Sequence, residues 1–117
     1  MASMRRVIIS VRSLERSLPF YTDAMGLLLK ERAPRLAHLT PPGGGTEVLL
    51  HERPSNPSLA GVTPGFLVED VDSAVAAMTD AGGELVDAPA DQEWGERTAV
   101  VRDPDGHLVV VASDLAR

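Results

Sequence analysis

The apolar positions of the chain predict one structural unit that occurs twice. Residues 5–11 (RRVIISV) and 64–69 (PGFLVE) are short runs rich in apolar and β-branched side chains, as in strands. Each run leads into a stretch whose apolar residues recur every three or four positions, the spacing of a helix packed on a sheet. Residues 11–29 and 68–86 match at a constant offset of 57 residues, so we interpret the chain as two related modules.

Capping residues mark where the two predicted helices begin and end. Ser13 and Asp70 each precede a helical pattern and are favoured N-cap types. Gly26 and the glycine pair at 82–83 are expected to end the helices. Pro19 falls inside the first helical pattern, so we expect it to bend that helix or delay its start.

Three further strand-like segments follow each helix. They are residues 27–31, 35–39 and 46–51 in the first half, and 84–87, 98–102 and 107–112 in the second. The predicted order is βαβββ twice, an α+β fold. The modules cover about 5–52 and 64–115 of a single domain, 1–117, and the Pro- and Ser-rich linker 53–63 is the expected hinge for exchanging modules between protomers.

Composition removes several classes of function. The chain has 117 residues and a formal charge of −6, whereas nucleic-acid binding needs an excess of Lys and Arg. It has no cysteine, so disulfides, thiolate nucleophiles and Cys-based metal sites are absent. The apolar run near the N-terminus is too short for a signal peptide and no run is long enough for a membrane span, so we expect a cytoplasmic protein.

Two loops carry distinctive sequences. Residues 103–106 (DPDG) predict a tight turn, because Pro104 presets its φ and Gly106 can adopt a positive φ. His107 follows this turn, and we expect it to face solvent. The sequence PPGGG (41–45) joins two predicted strands and has no following helix, so it indicates a flexible hairpin loop and not a phosphate site.

The duplicated unit, the helix sequence LERSLPFYTDAMGL and the final DPDGHLVVV together resemble the vicinal oxygen chelate superfamily. This group includes glyoxalase I, extradiol dioxygenases and bleomycin-resistance proteins. The resemblance covers residues 5 to about 115. It implies two modules whose curved mixed sheets enclose a small-molecule cavity, usually completed by a symmetric homodimer.

The resemblance also implies where a metal would bind. The positions at which enzymes of the superfamily carry metal ligands correspond here to Arg6, Leu49, Thr63 and Val110. Protein sites for Mg, Mn, Fe and Zn use carboxylate, imidazole or thiolate groups. We therefore expect no metal and no cofactor, and a metal-dependent glyoxalase or dioxygenase is disfavoured.

Strand alternation places one set of side chains toward the implied cavity. Arg6, His51 and Glu47 are candidate catalytic residues. The candidate ligand-binding residues are Arg6, Ile8, Ser10, His38, Glu47, Leu49, His51, Thr63, Gly65, Trp94, Thr98, Val100, Arg102 and Val110, with Leu36, Leu67 and Leu108 facing the same way.

Several roles remain open for these residues. Arg6 could bind a ligand carboxylate or phosphate, or pair with Glu47 across the sheet. His51 could act as a general base held by Glu47, and these two residues could form a non-standard metal site with His38. Trp94 could stack on a planar ligand, or it could pack over the edge of the core or at a dimer contact.

We therefore expect a metal-independent homodimer that binds a small organic molecule. Bleomycin-type members sequester a cationic, planar ligand without changing it, and the acidic charge and Trp94 are compatible with that role in antibiotic resistance. The alternative is a metal-independent lyase, isomerase or cyclase that uses Arg6 or His51 with Glu47. The sequence leans toward binding without catalysis.

Overall fold

The computed structural model describes residues 1–58 and 61–115. Leu59 and Ala60 of the predicted linker, and positions 116–117 of the predicted domain, lie outside the described residues. The elements are β1 (Arg6–Val11), α1 (Leu14–Pro19), a π-helical segment (Phe20–Ala24), β2 (Leu28–Ala33), β3 (Leu36–Thr40), β4 (Glu47–Glu52), β5 (Gly65–Leu67), α2 (Val71–Asp80), β6 (Glu84–Asp91), β7 (Glu96–Arg102) and β8 (Leu108–Asp114).

The strands form two four-stranded mixed sheets, which confirms the α+β prediction. The first sheet has the order β1-β4-β3-β2 and the second has the order β5-β8-β7-β6. In each sheet the first strand of the module pairs in parallel with its last strand, and the other pairs are antiparallel. Each predicted module therefore corresponds to one sheet.

Two strands differ by three or more residues from their predicted extents, whereas the others differ by one or two residues at either end. The fifth strand is shorter than residues 64–69, because only Gly65–Leu67 pair in register with β8. The sixth continues to Asp91 and not to Asp87. Its register shifts twice against β7, and it lies at the edge of the sheet, where a strand tolerates Pro89 because the missing N–H costs no ladder hydrogen bond.

Pro19 changes the course of the first helix, but it does not delay the start of that helix, which begins at Leu14. Ser13 Oγ accepts a hydrogen bond from the N–H of Arg16, and α1 then ends at Pro19, which has no N–H to donate. The chain continues as a wider π-helical turn. That turn directs Phe20 and Tyr21 into the core, where both are fully buried.

Strand alternation gives each sheet one buried face and one open face. The buried residues include Val48 and Leu50 of β4, and Val109 and Val111 of β8, all at most 3% exposed. Buried residues of both sheets belong to one hydrophobic cluster together with α2 and the π-helical segment. The open faces are the opposite sides of the two sheets.

Buried contacts between the modules centre on Asp103. The Tyr21 hydroxyl, in the first module, donates a 2.6 Å hydrogen bond to Asp103 Oδ2 in the second. The other carboxylate oxygen accepts from the N–H groups of Asp105 and His107, which closes the turn. Burial raises the pKa of Asp103, and burial beside this carboxylate also raises the pKa of Tyr21.

A glycine contact seals the same region. A Cβ at Gly83 would lie 2.7 Å from Cε1 of Phe20 and less than 3.0 Å from two backbone oxygens. Only glycine allows α2 and β6 to approach Phe20 this closely. The φ of Gly106 is +91°, which explains the glycine of the predicted DPDG turn.

The expectation that His107 faces solvent is wrong. Its side chain is 8% exposed, and Nδ1 accepts a 3.0 Å hydrogen bond from the N–H of Ser58. Nε2 therefore carries the proton and donates to the carbonyl of Ser10 at 2.7 Å. The turn aims His107 at the linker, so one ring joins β1, the linker and the second module.

Candidate functional site

The predicted ligand-binding residues of the first module lie together on the open face of the first sheet. We call this surface the first open face; it contains Arg6, Ile8, Ser10, Leu36, His38, Glu47, Leu49 and His51. The strand register places Arg6 beside Glu47, Ile8 beside Leu49, and Leu49 beside His38. Ile8 is 54% exposed although it lies on an ordered strand.

Glu47 is the centre of a charged cluster on this face. Lys30 Nζ donates a 2.7 Å hydrogen bond to Glu47 Oε2. Arg6 Nη2 and His38 Nδ1 lie 3.5 and 3.9 Å from Oε1. The hydrogen bond from Lys30 is the main reason that the pKa of Glu47 is lowered, and Arg6 contributes to the same effect.

The prediction that Glu47 holds His51 in position is wrong, because the two side chains are too far apart. The two side chains share a face of β4 but are separated along the strand by roughly 13 Å, at about 3.3 Å per residue. Glu47 instead contacts Lys30 and Arg6. At this separation Glu47 cannot orient the His51 imidazole, so this pair does not form a general-base dyad.

The second open face belongs to the second sheet and contains Gly65, Leu67, Thr98, Val100, Arg102, Leu108 and Val110. Val110 pairs with Gly65 and Val100, which places apolar groups at the centre of the face. Arg102 Nη1 donates to the carbonyl of Gly106 at 2.9 Å, so this guanidinium also stabilises the turn.

Trp94 and Thr63 lie away from the centre of the second open face. Trp94 occupies the turn between β6 and β7, is 66% exposed and donates its indole N–H to Glu96 Oε1 at 2.6 Å. Thr63 precedes β5 and lines a cleft between the modules. The structure thus divides the candidate residues between two sheets that share a core.

Two clefts separate the edges of β1 and β5. One has a volume of about 320 Å³ and is bordered by Ser10, Ser55 and His107. The other has a volume of about 670 Å³ and is largely apolar, with Met25, Val48 and Phe66 among its lining. Neither cleft includes the Glu47 cluster.

The residues at the implied metal positions do not fit a metal ion. A guanidinium at Arg6 stays positively charged, and the side chains of Leu49 and Val110 have no donor atom. Within residues 1–58 and 61–115, no group of three His, Asp or Glu side chains is arranged to hold a metal. This includes the alternative set of His38, His51 and Glu47.

Two contributors to the first open face were not found from the sequence. Lys30 lies at a bulge of the edge strand β2, between Leu29 and Glu31, and its ammonium group reaches Glu47 on β4, two strands away in the sheet. Arg53 follows β4, and its Nε donates a 2.7 Å hydrogen bond to Ser10 Oγ. A basic residue directly after a strand was the only signal for this contact.

The fold has two paired βαβββ modules, and each sheet has one open face. In a protein of this class, function depends on the residues that the open faces carry. The model of the Glyoxalase/Bleomycin resistance protein/Dioxygenase superfamily matches residues 3–111. The chain belongs to this superfamily.

Individual relatives cover nearly the whole chain. An uncharacterized protein of Mycolicibacterium smegmatis is 33% identical over 97% of this chain and 96% of its own length. The crystal structure of TioX from Micromonospora sp. ML1 has a TM-score of 0.72 at 30% identity, covering 97% of this chain and all of that one. TnmS3 of Streptomyces sp. CB03234, an antibiotic binding protein, has a TM-score of 0.76 at 24% identity, and 97% of each chain is covered.

In the described part of the chain, no helix has the length and apolar character needed to cross a membrane.

Proposed function

We propose that this protein binds a small organic molecule without a metal, in a cavity formed by its open sheet faces and completed by a second copy of the chain. The observation that carries the proposal is the first open face, where an ion cluster adjoins exposed apolar side chains on rigid strands. Small-molecule sites combine apolar walls with a few placed polar groups in this way.

The second copy is supported by exposed apolar residues on both faces. Ile8 is 54% exposed on the first face and Leu67 is 73% exposed on the second. Large apolar side chains exposed on the open faces of both sheets indicate a surface that another molecule covers. A two-fold axis that sets the first face of one copy against the second face of its partner would cover both at once.

The charges of the two faces also favour this arrangement. The first face and its margin carry the cations Arg6, Lys30 and Arg53 against the carboxylates of Glu31 and Glu47. The second carries the carboxylates of Glu84, Glu96 and Asp114 against Arg102, by strand register. The first face is therefore net positive and the second net negative, which favours contact between unlike faces.

We favour sequestration over catalysis because the first face offers no assembled acid and base. Glu47 is held in an ion pair with Lys30, and His51 lies too far along the strand to share its carboxylate. The antibiotic binding protein TnmS3 has the same fold, which fits a role in binding. An exposed Trp94 at the margin of the second face would provide a stacking surface for a planar ligand.

The test of binding is a screen of small organic molecules for thermal stabilisation, because a ligand that binds only the folded state raises the melting temperature. Hits are then incubated with the protein and followed by mass spectrometry. We expect stabilisation without any change in ligand mass, and weaker binding by Trp94→Ala. Turnover that is lost in His51→Ala with affinity retained would instead establish the enzyme alternative.

The test of assembly compares two substitutions of exposed apolar residues. Ile8→Glu places a charge on the first open face, beside Leu49, whereas Leu85→Glu places the same charge on β6, where the strand partner Val101 points into the core. We expect light scattering to show a dimer for the wild type and Leu85→Glu, and a monomer for Ile8→Glu. A wild-type monomer with full ligand affinity would refute the shared cavity.

A further inference from the structure

Building on the proposed function, we propose that the ligand carries an oxyanion on an apolar body, and that the Arg6 guanidinium binds the oxyanion. The site is the part of the first open face around Arg6, Ile8 and Glu47. The inference is opposite in sign to what the net charge of −6 suggests for the chain as a whole.

The hydrogen bonding of the Arg6 guanidinium is incomplete. Its Nη2 is 3.5 Å from Glu47 Oε1, longer than a charge-assisted hydrogen bond, while Lys30 holds the other carboxylate oxygen at 2.7 Å. The Nε of Arg6 is buried, and it has no hydrogen-bond partner among residues 1–58 and 61–115. A buried donor without an acceptor is rare in a folded protein, and an absent ligand is one of its ordinary explanations.

The local charge around Arg6 is positive. Arg6, Lys30 and Arg53 bring three positive charges to the face and its margin, and Glu31 and Glu47 bring two negative charges. The face therefore has a positive excess even with both histidines neutral. A carboxylate, phosphate or sulfonate would supply the missing acceptor, since the planar guanidinium matches two oxygens of such a group.

The apolar side chains next to Arg6 indicate the rest of the ligand. Ile8 follows Arg6 on the same face of β1 and is 54% exposed, and its strand partner Leu49 adds a second apolar side chain. A ligand whose oxyanion meets Arg6 would lay its adjoining atoms on this apolar surface. The predicted class is therefore an organic acid with an aromatic or aliphatic body.

The experiment uses two fluorescent probes that differ in one group. 1-Anilinonaphthalene-8-sulfonate carries a sulfonate, and N-phenyl-1-naphthylamine has the same aromatic body without it. Both are titrated into the wild type, Arg6→Gln, Glu47→Gln and the control Arg32→Gln. Arg32 is an exposed arginine whose strand partner Ala37 is fully buried, so it lies on the opposite side of the sheet.

We expect the wild type to bind the sulfonate probe more tightly than the neutral probe. Arg6→Gln should weaken binding of the sulfonate probe roughly ten- to hundredfold, the range for a hydrogen bond to a charged group. Binding of the neutral probe should not change. Glu47→Gln should tighten the sulfonate probe because it removes the competing carboxylate. Arg32→Gln should match the wild type with both probes.

The outcomes separate the two proposals. Equal binding of both probes to the wild type and Arg6→Gln would overturn the oxyanion but leave small-molecule binding in place. Failure of the wild type to bind either probe would count against both. If Arg6→Gln turns a dimer into a monomer in light scattering, Arg6 is an interface residue and the oxyanion inference fails.

Competition then identifies the oxyanion. 1-Naphthoate and 1-naphthyl phosphate share an aromatic body and differ in the acid, so their displacement of the sulfonate probe ranks carboxylate against phosphate. Displacement by either acid that is lost in Arg6→Gln supports the assignment. Displacement that persists in Arg6→Gln contradicts it.

Discussion

Replacing Tyr21 by Phe tests whether a single buried hydrogen bond ties the two modules together. The substitution removes the hydroxyl that donates to Asp103 Oδ2 at 2.6 Å and keeps the ring. The ring packs edge-on against Phe20 with a centroid distance of 4.9 Å, and Phe preserves that contact. Any loss of stability therefore reports the hydrogen bond and the carboxylate it leaves behind.

The expected loss follows from the acceptor. A hydrogen bond to a charged group contributes about 1.5–3 kcal/mol to the free energy of unfolding. Tyr21→Phe loses this contribution, because the buried Asp103 carboxylate is left with one donor fewer. With an unfolding entropy of about 2.1 cal/mol/K per residue, a chain of this length loses roughly 4 °C of Tm for each kcal/mol. Tyr21→Phe should thus lower the Tm by about 6–12 °C.

The pH dependence of this loss is a sharper test. Burial raises the pKa of Asp103 above its ordinary value of 3.8, and the hydrogen bond from Tyr21 opposes that rise. A carboxyl whose pKa is raised in the folded state contributes stability that is present below 3.8 and is lost as pH rises through the folded pKa. Tyr21→Phe raises that pKa further, so the variant should lose more stability at pH 7 than at pH 4.

Urea unfolding of wild type and Tyr21→Phe at several pH values between 4 and 7 measures this difference. Asp103→Asn in both backgrounds is the control, because it removes the titrating carboxyl and should remove the pH dependence of the loss. A loss under about 0.5 kcal/mol, or a loss that is the same at every pH, would refute the reasoning.

Two further predictions concern backbone packing and the linker. Gly83→Ala should lower the free energy of unfolding by about 1–3 kcal/mol or more, since its Cβ would overlap two backbone oxygens. A Cβ at Gly65 meets no atom of the described residues within 4 Å, so Gly65→Ala should change the free energy of unfolding little. Urea titrations of both variants check this, and equal effects would contradict it. His107→Ala should free the N–H of Ser58 and hasten proteolytic cleavage within residues 53–58, with the His51→Ala variant cleaved like wild type. Unchanged cleavage would show that His107 does not hold the linker.

The parts of the fold that depend on local pattern were predictable from the sequence. The caps Ser13 and Asp70 and the alternation of β4 follow from residue type and spacing, and the structure has all three. Tertiary placement was not predictable in the same way. The burial of His107 depends on where the linker returns, and the Lys30 contact depends on how β2, β3 and β4 pair, and the local pattern encodes neither.

The candidate site shows the same division. Alternation correctly grouped Arg6, Ile8 and Glu47 on one face, because period two is a property of any strand. Spacing along β4 separates Glu47 from His51, but it could not show that Lys30 would reach Glu47, because Lys30 lies on β2, two strands away in the sheet. Whether the two open faces meet remains a prediction about assembly.

The separation of buried and open faces has a consequence for how such proteins can change. Adjacent residues on one strand, such as Leu49 and Leu50, serve different demands: Leu50 is fully buried in the core, whereas Leu49 lies on the open face where we propose that the ligand binds. Selection for a new ligand could therefore act on every second position without disturbing folding. A saturation library of β4 and β8 should show this as tolerance that alternates residue by residue, so that the strands themselves act as a template for diversification.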